Sequence, residues 1–288
     1  MERSSENKIV MVVRRTRLDG LIAKFNTEEQ ARFYVEHLGQ DFSDYQIEDK
    51  TYKDSVRTTE RILTGHGRLQ VVDRSYLPNF IFGPSDIVVA VGQDGLVANI
   101  LKYLDSQLLI GVNPDPSRWE GVLLPFNVND LKLLMPEVFT SKRPISDVTM
   151  AQALLSNGET LFGVNDIFIG PKSHTSARYN ISSGGHSVNH SSSGIIVSTG
   201  LGSTGWLRSI LAGATGIVSS MSPSPLDLND NSPMDWDTDH LQFSVREPWP
   251  STTSSAELTF GKITKSNPLV LVSHMPENGV IFSDGMES

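Results

Sequence analysis

Between Asp86 and Gly92 the chain carries five apolar residues in a row, Ile87–Val91 (IVVAV), with no polar residue to mark a solvent face. The strand, read over Asp86–Val91, is of a kind covered on both sides, as in a parallel sheet with helices on its two faces. The run ends in VGQDGL, where Gly92 and Gly95 flank one carboxylate, Asp94, and a helical pattern follows from about Leu96 to Leu104. The neighbouring segments agree. Lys8–Val13 reads as a strand, and Thr27–Leu38 as a helix with Thr27 and Gln30 matching a capping box and Gly39 behind the last turn. Ala31, Tyr34, Val35 and Leu38 fall on one face of that helix. A second helical pattern covers Tyr52–Leu63 and ends near Gly65, and strands are expected at Leu69–Val72 and Leu108–Val112. Strand and helix alternating in units of this size predict an α/β N-terminal domain.

Past about Met135 the texture changes. Short β-favouring runs at Leu161–Ile169, Ala177–Ile181, Gly194–Ser198, Leu241–Val245 and Pro268–Ser273 are separated by Gly, Ser, Asn and Pro, with one helix expected at Trp206–Leu211. The length of 288 residues suits two domains. They are read as 1–135, an α/β domain carrying the Gly92–Gly95 loop, and 136–288, a mainly β domain whose last residues return to the first. The polar, Pro-rich stretch Ser219–His240 reads as a long loop.

Composition excludes several functions. A net charge of −9 argues against nucleic acid as a partner. The absence of cysteine removes disulfides, thiolate zinc sites and cysteine nucleophiles. No run of about 18 apolar residues predicts a membrane span, and MERSSENKIVMVV lacks the pattern of a signal or transit peptide, so a cytoplasmic setting without membrane contact is expected.

Four motifs carry the chemistry. In an open α/β sheet, ligands sit where strands give way to helices, and an anion there meets backbone N–H groups and a helix dipole. VGQDGL suits that place, although an isolated G-x-D-G also serves as a tight turn with Asp94 as N-cap. In TGLGSTGW, Gly200, Gly202 and Gly205 spell G-x-G-x-x-G. They lie late and in a β-rich region, so a loop offering hydroxyls and amides to a polar ligand fits better than a dinucleotide fingerprint. In VNDIFIG, Asn165 and Asp166 suit ribose hydroxyls or, for Asp166, Mg²⁺, and equally a polar turn before a strand. His186 and His190, four apart, bind zinc only on a helix, which their Gly/Ser-rich surroundings oppose; no metal-ligating residues are assigned.

Taken in order, VGQDGL, IGVNPDPSRWEGVLLP, VNDIFIG, SSSGIIVSTGLGSTGW and FSVREP resemble the NAD kinase family, and are most similar to its divergent, mitochondrial-type branch. The resemblance runs from about Lys8 to Gly285. A wider relationship through the G-G-D-G loop links that family to diacylglycerol and sphingosine kinases. It implies an NAD kinase/diacylglycerol kinase-like fold, an α/β domain followed by a β-rich, NAD-binding domain. It implies transfer of the γ-phosphoryl of ATP to the 2′-hydroxyl of the adenosine ribose of NAD, with Mg²⁺, and a homodimer or homotetramer. On these residues Asp94 matches the base that takes the proton from the attacking hydroxyl. Gly92, Gln93 and Gly95 match the donor-phosphate loop, and Asn165, Asp166, Ser193, Thr204, Trp206 and Ser209 match positions contacting NAD.

Two residues depart from the family pattern. Gln93 stands for a glycine and Leu96 for a threonine. Were φ positive at Gln93, strain of roughly 1–2 kcal/mol would follow, and its side chain would either crowd the donor phosphates or donate to them. The alternatives are therefore an NAD-binding homologue with weak or lost transfer, and a kinase for a lipid or sugar hydroxyl. The late D-G of the family aligns poorly, with Ser283–Met286 or with His274–Pro276, and is assigned no role.

Overall fold

The computed structural model describes residues 7–221 and 233–284. The chain divides into two compact units, Met1–Pro144 and Ile145–Ser288. The boundary expected at 135 falls inside a helix, α5 (Leu131–Phe139), whose Leu131, Leu134 and Met135 are buried in the first unit's core.

The first unit is an all-parallel sheet of β1 (Lys8–Val13), β2 (Arg68–Asp73), β3 (Ile87–Val91), β4 (Leu108–Asn113) and the short β5 (Phe126–Asn127), in the order β2-β1-β3-β4-β5. The apolar run behaves as its composition requires. Ile87, Val89 and Val91 pack with Tyr52, Ile62 and Leu63 of α3 (Ser43–Thr64) and with α5. Val88 and Ala90 pack on the other side with Leu96, Val97 and Ile100 of α4 (Asp94–Leu101). From β1 the order runs one way to β2 and the other way to β3, so the ends of β1 and β3 form the switch point at which doubly wound sheets place ligands.

Two helix readings are corrected. α3 begins nine residues before the expected Tyr52 because its first half is held by charge, with Glu48, only 3% exposed, paired to Arg14 and Arg17. Hydrophobic periodicity cannot register such a face. In α2 (Glu28–His37), Ala31 and Val35 are buried, whereas Tyr34 and Leu38 are exposed. That helix covers only a small cluster with Leu18 of α1 (Arg17–Phe25) and Phe42, and Tyr34 lies at its edge against Phe25, 4.5 Å between rings. Thr27 caps α2 by accepting from Gln30 N–H, and Gly39, at φ 74°, turns the chain out of it.

The second unit is mainly antiparallel. Its larger sheet has the order β13 (Phe260–Ile263), β12 (Leu241–Val245), β11 (Ile195–Ser198), β8 (Asp166–Pro171) and β15 (Gly279–Ser283). A second sheet has the order β10 (His186–Ser192), β9 (Ala177–Ser183) and β14 (Val270–Ser273), and β6 (Ala151–Leu154) pairs with β7 (Thr160–Gly163). Ile181 of β9 shares one core with Ile167, Ile195, Val197 and Phe243 of the larger sheet. The last described strand, β15, pairs with β8 and stays within this unit. The helix expected at Trp206–Leu211 extends as α6 (Trp206–Met221). Residues 222–232 of the expected Ser219–His240 loop, the opening MERSSE, and residues 285–288 lie outside the described residues. No helix among the described residues is long and apolar enough to cross a membrane.

Candidate functional site

Two constellations correspond to the motifs, one in each unit. In the first, Tyr52 of α3 ties the ends of β1 and β3 together. Its hydroxyl accepts from Arg14 N–H (2.8 Å) and donates to the carbonyl of Val91 (2.9 Å). Burial pushes this phenol up to about 12, so it remains a donor at any ordinary pH.

Immediately beyond Val91, Gly92 leaves the room that Leu96 fills, since a Cβ at Gly92 would meet Leu96 Cδ2 at 2.8 Å. Leu96, 2% exposed, thus anchors the first turn of α4 into the core where a threonine would not. Gln93 is the N-cap at φ −123°, extended backbone that any residue adopts, so the conditional strain does not arise. Its side chain is half-buried. At Gly95 a Cβ would find nothing within 4 Å, so the helix opening is accessible on that side.

Asp94 is the first residue of α4 and is not its N-cap. Its carboxylate accepts from the backbone N–H of Val122 (3.2 Å) and Leu123 (2.8 Å). The segment after β4 is therefore folded back upon Asp94. Asn113, at the end of β4, holds the same segment by donating to the Trp119 carbonyl (2.9 Å) and accepting from Asp115 N–H (3.0 Å). Gly111 completes the packing, because a Cβ there would overlap the Leu123 carbonyl. Arg118 then ties the segment to α3 through a two-pronged contact with Asp44, at 2.7 and 3.1 Å. Hydrogen bonds from Arg118 and Arg17 hold the Asp44 carboxyl down to about 2.

In the second unit, Val164–Asp166 and Thr199–Thr204 form one interlocked pair of loops. The Thr199 hydroxyl donates to the Val164 carbonyl (2.5 Å), Thr199 N–H donates to the Asn165 carbonyl (3.0 Å), and Gly202 N–H donates to the Thr199 hydroxyl (3.1 Å). Gly202 lies against the Asn165 carbonyl and Gly200 against the Asp235 carbonyl, each so closely that a Cβ would overlap the oxygen. Both glycines are thus needed for backbone packing. β11 runs between antiparallel neighbours, which rules out a dinucleotide βαβ unit at this G-x-G-x-x-G.

Successive N–H groups of Val164, Asn165 and Asp166 all point to Asp284, at 3.1, 2.6 and 3.2 Å. They form a nest whose anion is the chain's own carboxylate. This explains why the single run expected over Leu161–Ile169 is two strands, β7 and β8. Asp284, at φ 55°, is the site residue that the motifs do not single out, although it belongs to the late D-G to which no role was assigned. Of the NAD-facing candidates, Asp166 is buried, Asn165, Ser193 and Trp206 are half-buried, and Thr204 and Ser209 are exposed. The Trp206 indole is stacked on Phe168 (5.8 Å, 11°) and lies 5.6 Å from the Arg246 guanidinium, so its ring is already engaged by the protein.

The two histidines stand on strand β10. His190 Nε2 donates to the Glu257 carbonyl (2.7 Å), and His186 Nε2 meets the Glu257 carboxylate (2.8 Å). Burial lowers the His190 pKa. Among the described residues no three His, Cys, Asp or Glu side chains converge as a metal cage.

No protein-family model matches the chain. In sequence it is similar to a protein of Oryza sativa subsp. japonica named "Probable NADH kinase", with 25% identity over 225 residues, 69% of this chain and 63% of that protein. The chain thus spans less than two thirds of the length of that curated relative. In structure it is similar to an NAD kinase from Archaeoglobus fulgidus in complex with ATP, with a TM-score of 0.55, 14% identity, and coverage of 97% of this chain and 85% of that one. It is also similar to yeast NADH kinase complexed with NADH, with a TM-score of 0.51, 13% identity, and coverage of 93% and 75%. The fold is that of these kinases, an α/β unit followed by a mainly β unit, and the resemblance read from the motifs is borne out.

Proposed function

We propose that the chain is an NAD kinase, acting on NAD in its oxidised or reduced form and moving the γ-phosphoryl of ATP to the 2′-hydroxyl of the adenosine ribose. The observation that carries the reading is Asp94 at the switch point of the parallel sheet, beside an open helix N-terminus at Gly95. Phosphoryl transfer asks mainly for positioning and charge neutralisation. In this reading the first turn of α4 receives the donor phosphates, Mg²⁺ carried on them neutralises their charge, and Asp94 takes the proton from the acceptor hydroxyl. Each Asp94 oxygen accepts one backbone N–H and keeps a second lone pair for that task. Gln93 carries an amide that donates to a phosphate oxygen. The Asn165 side chain and the exposed Thr204 and Ser209 hydroxyls meet the dinucleotide. Trp206, held by Phe168 and Arg246, contributes as a wall and not as a free stacking platform.

The test is NADP⁺ or NADPH formation by the purified protein with ATP and Mg²⁺, run beside Asp94→Asn. General-base assistance is worth about 10²–10⁴-fold, and a loss of that size in a variant that still melts like the parent supports the assignment. Equal rates in the two proteins would remove Asp94 from the chemistry.

A further inference from the structure

We propose that a cavity within the second unit, at the end of β8, is a phosphate subsite that takes the phosphoryl group of a nucleotide. It is a half-open pocket of about 560 Å³, lined by Lys172, His174, Arg246, Ser176, Ser193 and Phe168 among others, with no Asp or Glu among the described residues of its wall. In a chain with 33 acidic against 24 basic residues, a pocket lined by two cationic side chains and no carboxylate favours an anion.

The cations are held differently. Arg246 is placed by its backbone, its N–H donating to the Gly194 carbonyl (2.8 Å) and its carbonyl accepting from Ser193 N–H (2.9 Å). Its guanidinium lies 5.6 Å from the Trp206 ring, which is itself stacked on Phe168. Trp206 is therefore a positioning residue for Arg246. Among the described residues, the carboxylate paired with that guanidinium is Glu247, at 3.7 Å and 66% exposed, a surface pair of little strength. Lys172 is exposed and makes no ion pair among the described residues. A planar fork, a point charge and several hydroxyls converging on one space match a tetrahedral, multiply charged group with several acceptor oxygens. The volume exceeds that of bare phosphate and leaves room, along the Phe168 wall, for part of the nucleotide that bears it.

The inference rests on the kinase reading only for which nucleotide enters; the anion preference stands without it. Calorimetric titration of inorganic pyrophosphate, NAD⁺ and NADP⁺ into the full chain, Lys172→Ala and Arg246→Gln tests it. Hydrogen bonds to charged groups predict that each substitution weakens pyrophosphate by about tenfold or more, with unchanged melting. If NADP⁺ loses more affinity than NAD⁺, the 2′-phosphate is the occupant; equal losses identify the pyrophosphate bridge. Failure of pyrophosphate to bind, or undiminished binding to folded Lys172→Ala, overturns the proposal. Should Arg246→Gln fail to fold, exposed Lys172 carries the test alone. Pyrophosphate bound at this cavity by a protein that forms no NADP⁺ would uphold the subsite while refuting the kinase reading.

Discussion

Replacing Gly202 by alanine tests how the loops Val164–Asp166 and Thr199–Thr204 are locked together. A Cβ at Gly202 overlaps the carbonyl oxygen of Asn165, a backbone atom that no rotamer change can move aside. The two loops must part, and the hydrogen bond that breaks first is the one reaching this carbonyl from Thr199 N–H at 3.0 Å. It is worth about 1 kcal/mol net, and overpacking adds roughly 1–3 kcal/mol, so Gly202→Ala is expected to destabilise the second unit by about 3 kcal/mol. At about 3 °C per kcal/mol for a unit of this size, the melting temperature falls by roughly 9 °C. Gly213→Ala is the internal control, because its Cβ would find nothing within 4 Å in the interior of α6, where alanine is compatible with the backbone. Thermal unfolding followed by circular dichroism reads both. A Gly202→Ala protein melting within about 2 °C of the parent, or a Gly213→Ala protein falling equally far, would refute the close-packing argument.

Other perturbations give distinct outcomes. Gln93→Gly relieves no strain, since φ is −123°, and at an N-cap whose side chain makes no capping bond the freer unfolded chain and glycine's better capping oppose each other, so stability should change by less than about 1 kcal/mol; a larger gain in urea titration would contradict the extended N-cap. If the Gln93 amide donates to phosphate, the same variant lowers kcat/KM for ATP, whereas a rise would identify the side chain as an obstruction. Asp44 has its pKa depressed to about 2 by Arg118 and then Arg17. Its contribution to stability is complete above the ordinary carboxylate value of 3.8 and is lost as pH falls through about 2. Asp44→Asn should therefore flatten the stability profile between those pH values, and an unchanged acid limb would show that the contact with Arg118 does not form in solution. Asp284→Asn keeps the shape of the side chain and removes the charge from the nest at 164–166; it should lower NAD affinity and the melting temperature together, whereas loss of one without the other would separate Asp284 from the placement of Asn165.

Much of the first unit is legible in the sequence because its strands are buried on both faces and so advertise themselves as apolar runs. The runs Asp86–Val91 and Leu108–Val112 each miss the observed strand by one residue. Part of what escapes is held by polar contacts. The first half of α3 rests on Glu48 and Asp44, and strand β10 is built from His, Ser and Asn around a single Val, with His190 and Ser192 buried. Helix α5 escapes as well, although Leu131, Leu134 and Met135 are buried in the core, because its apolar run is short and broken by Pro136. The site divides in the same way. The glycines at 92, 200 and 202 are visible as motifs, yet their reasons are packing against Leu96, Asp235 and Asn165, neighbours distant in the chain or lying across a turn. Asp284 cannot be assigned from sequence because its partners lie more than 100 residues earlier. Nor can the engagement of Trp206 be foreseen, since it depends on Phe168 and Arg246 arriving from separate parts of the chain.

The most direct test of the central claim is the chemical identity of the product. The purified chain would be incubated with ATP, Mg²⁺ and NAD⁺, and in parallel with NADH, and the dinucleotide product examined by phosphorus and proton NMR. The account predicts a new phosphomonoester on the 2′-oxygen of the adenosine ribose, formed in step with ADP. ADP release without a phosphorylated dinucleotide, or bound dinucleotide that never gains a phosphate, would contradict it.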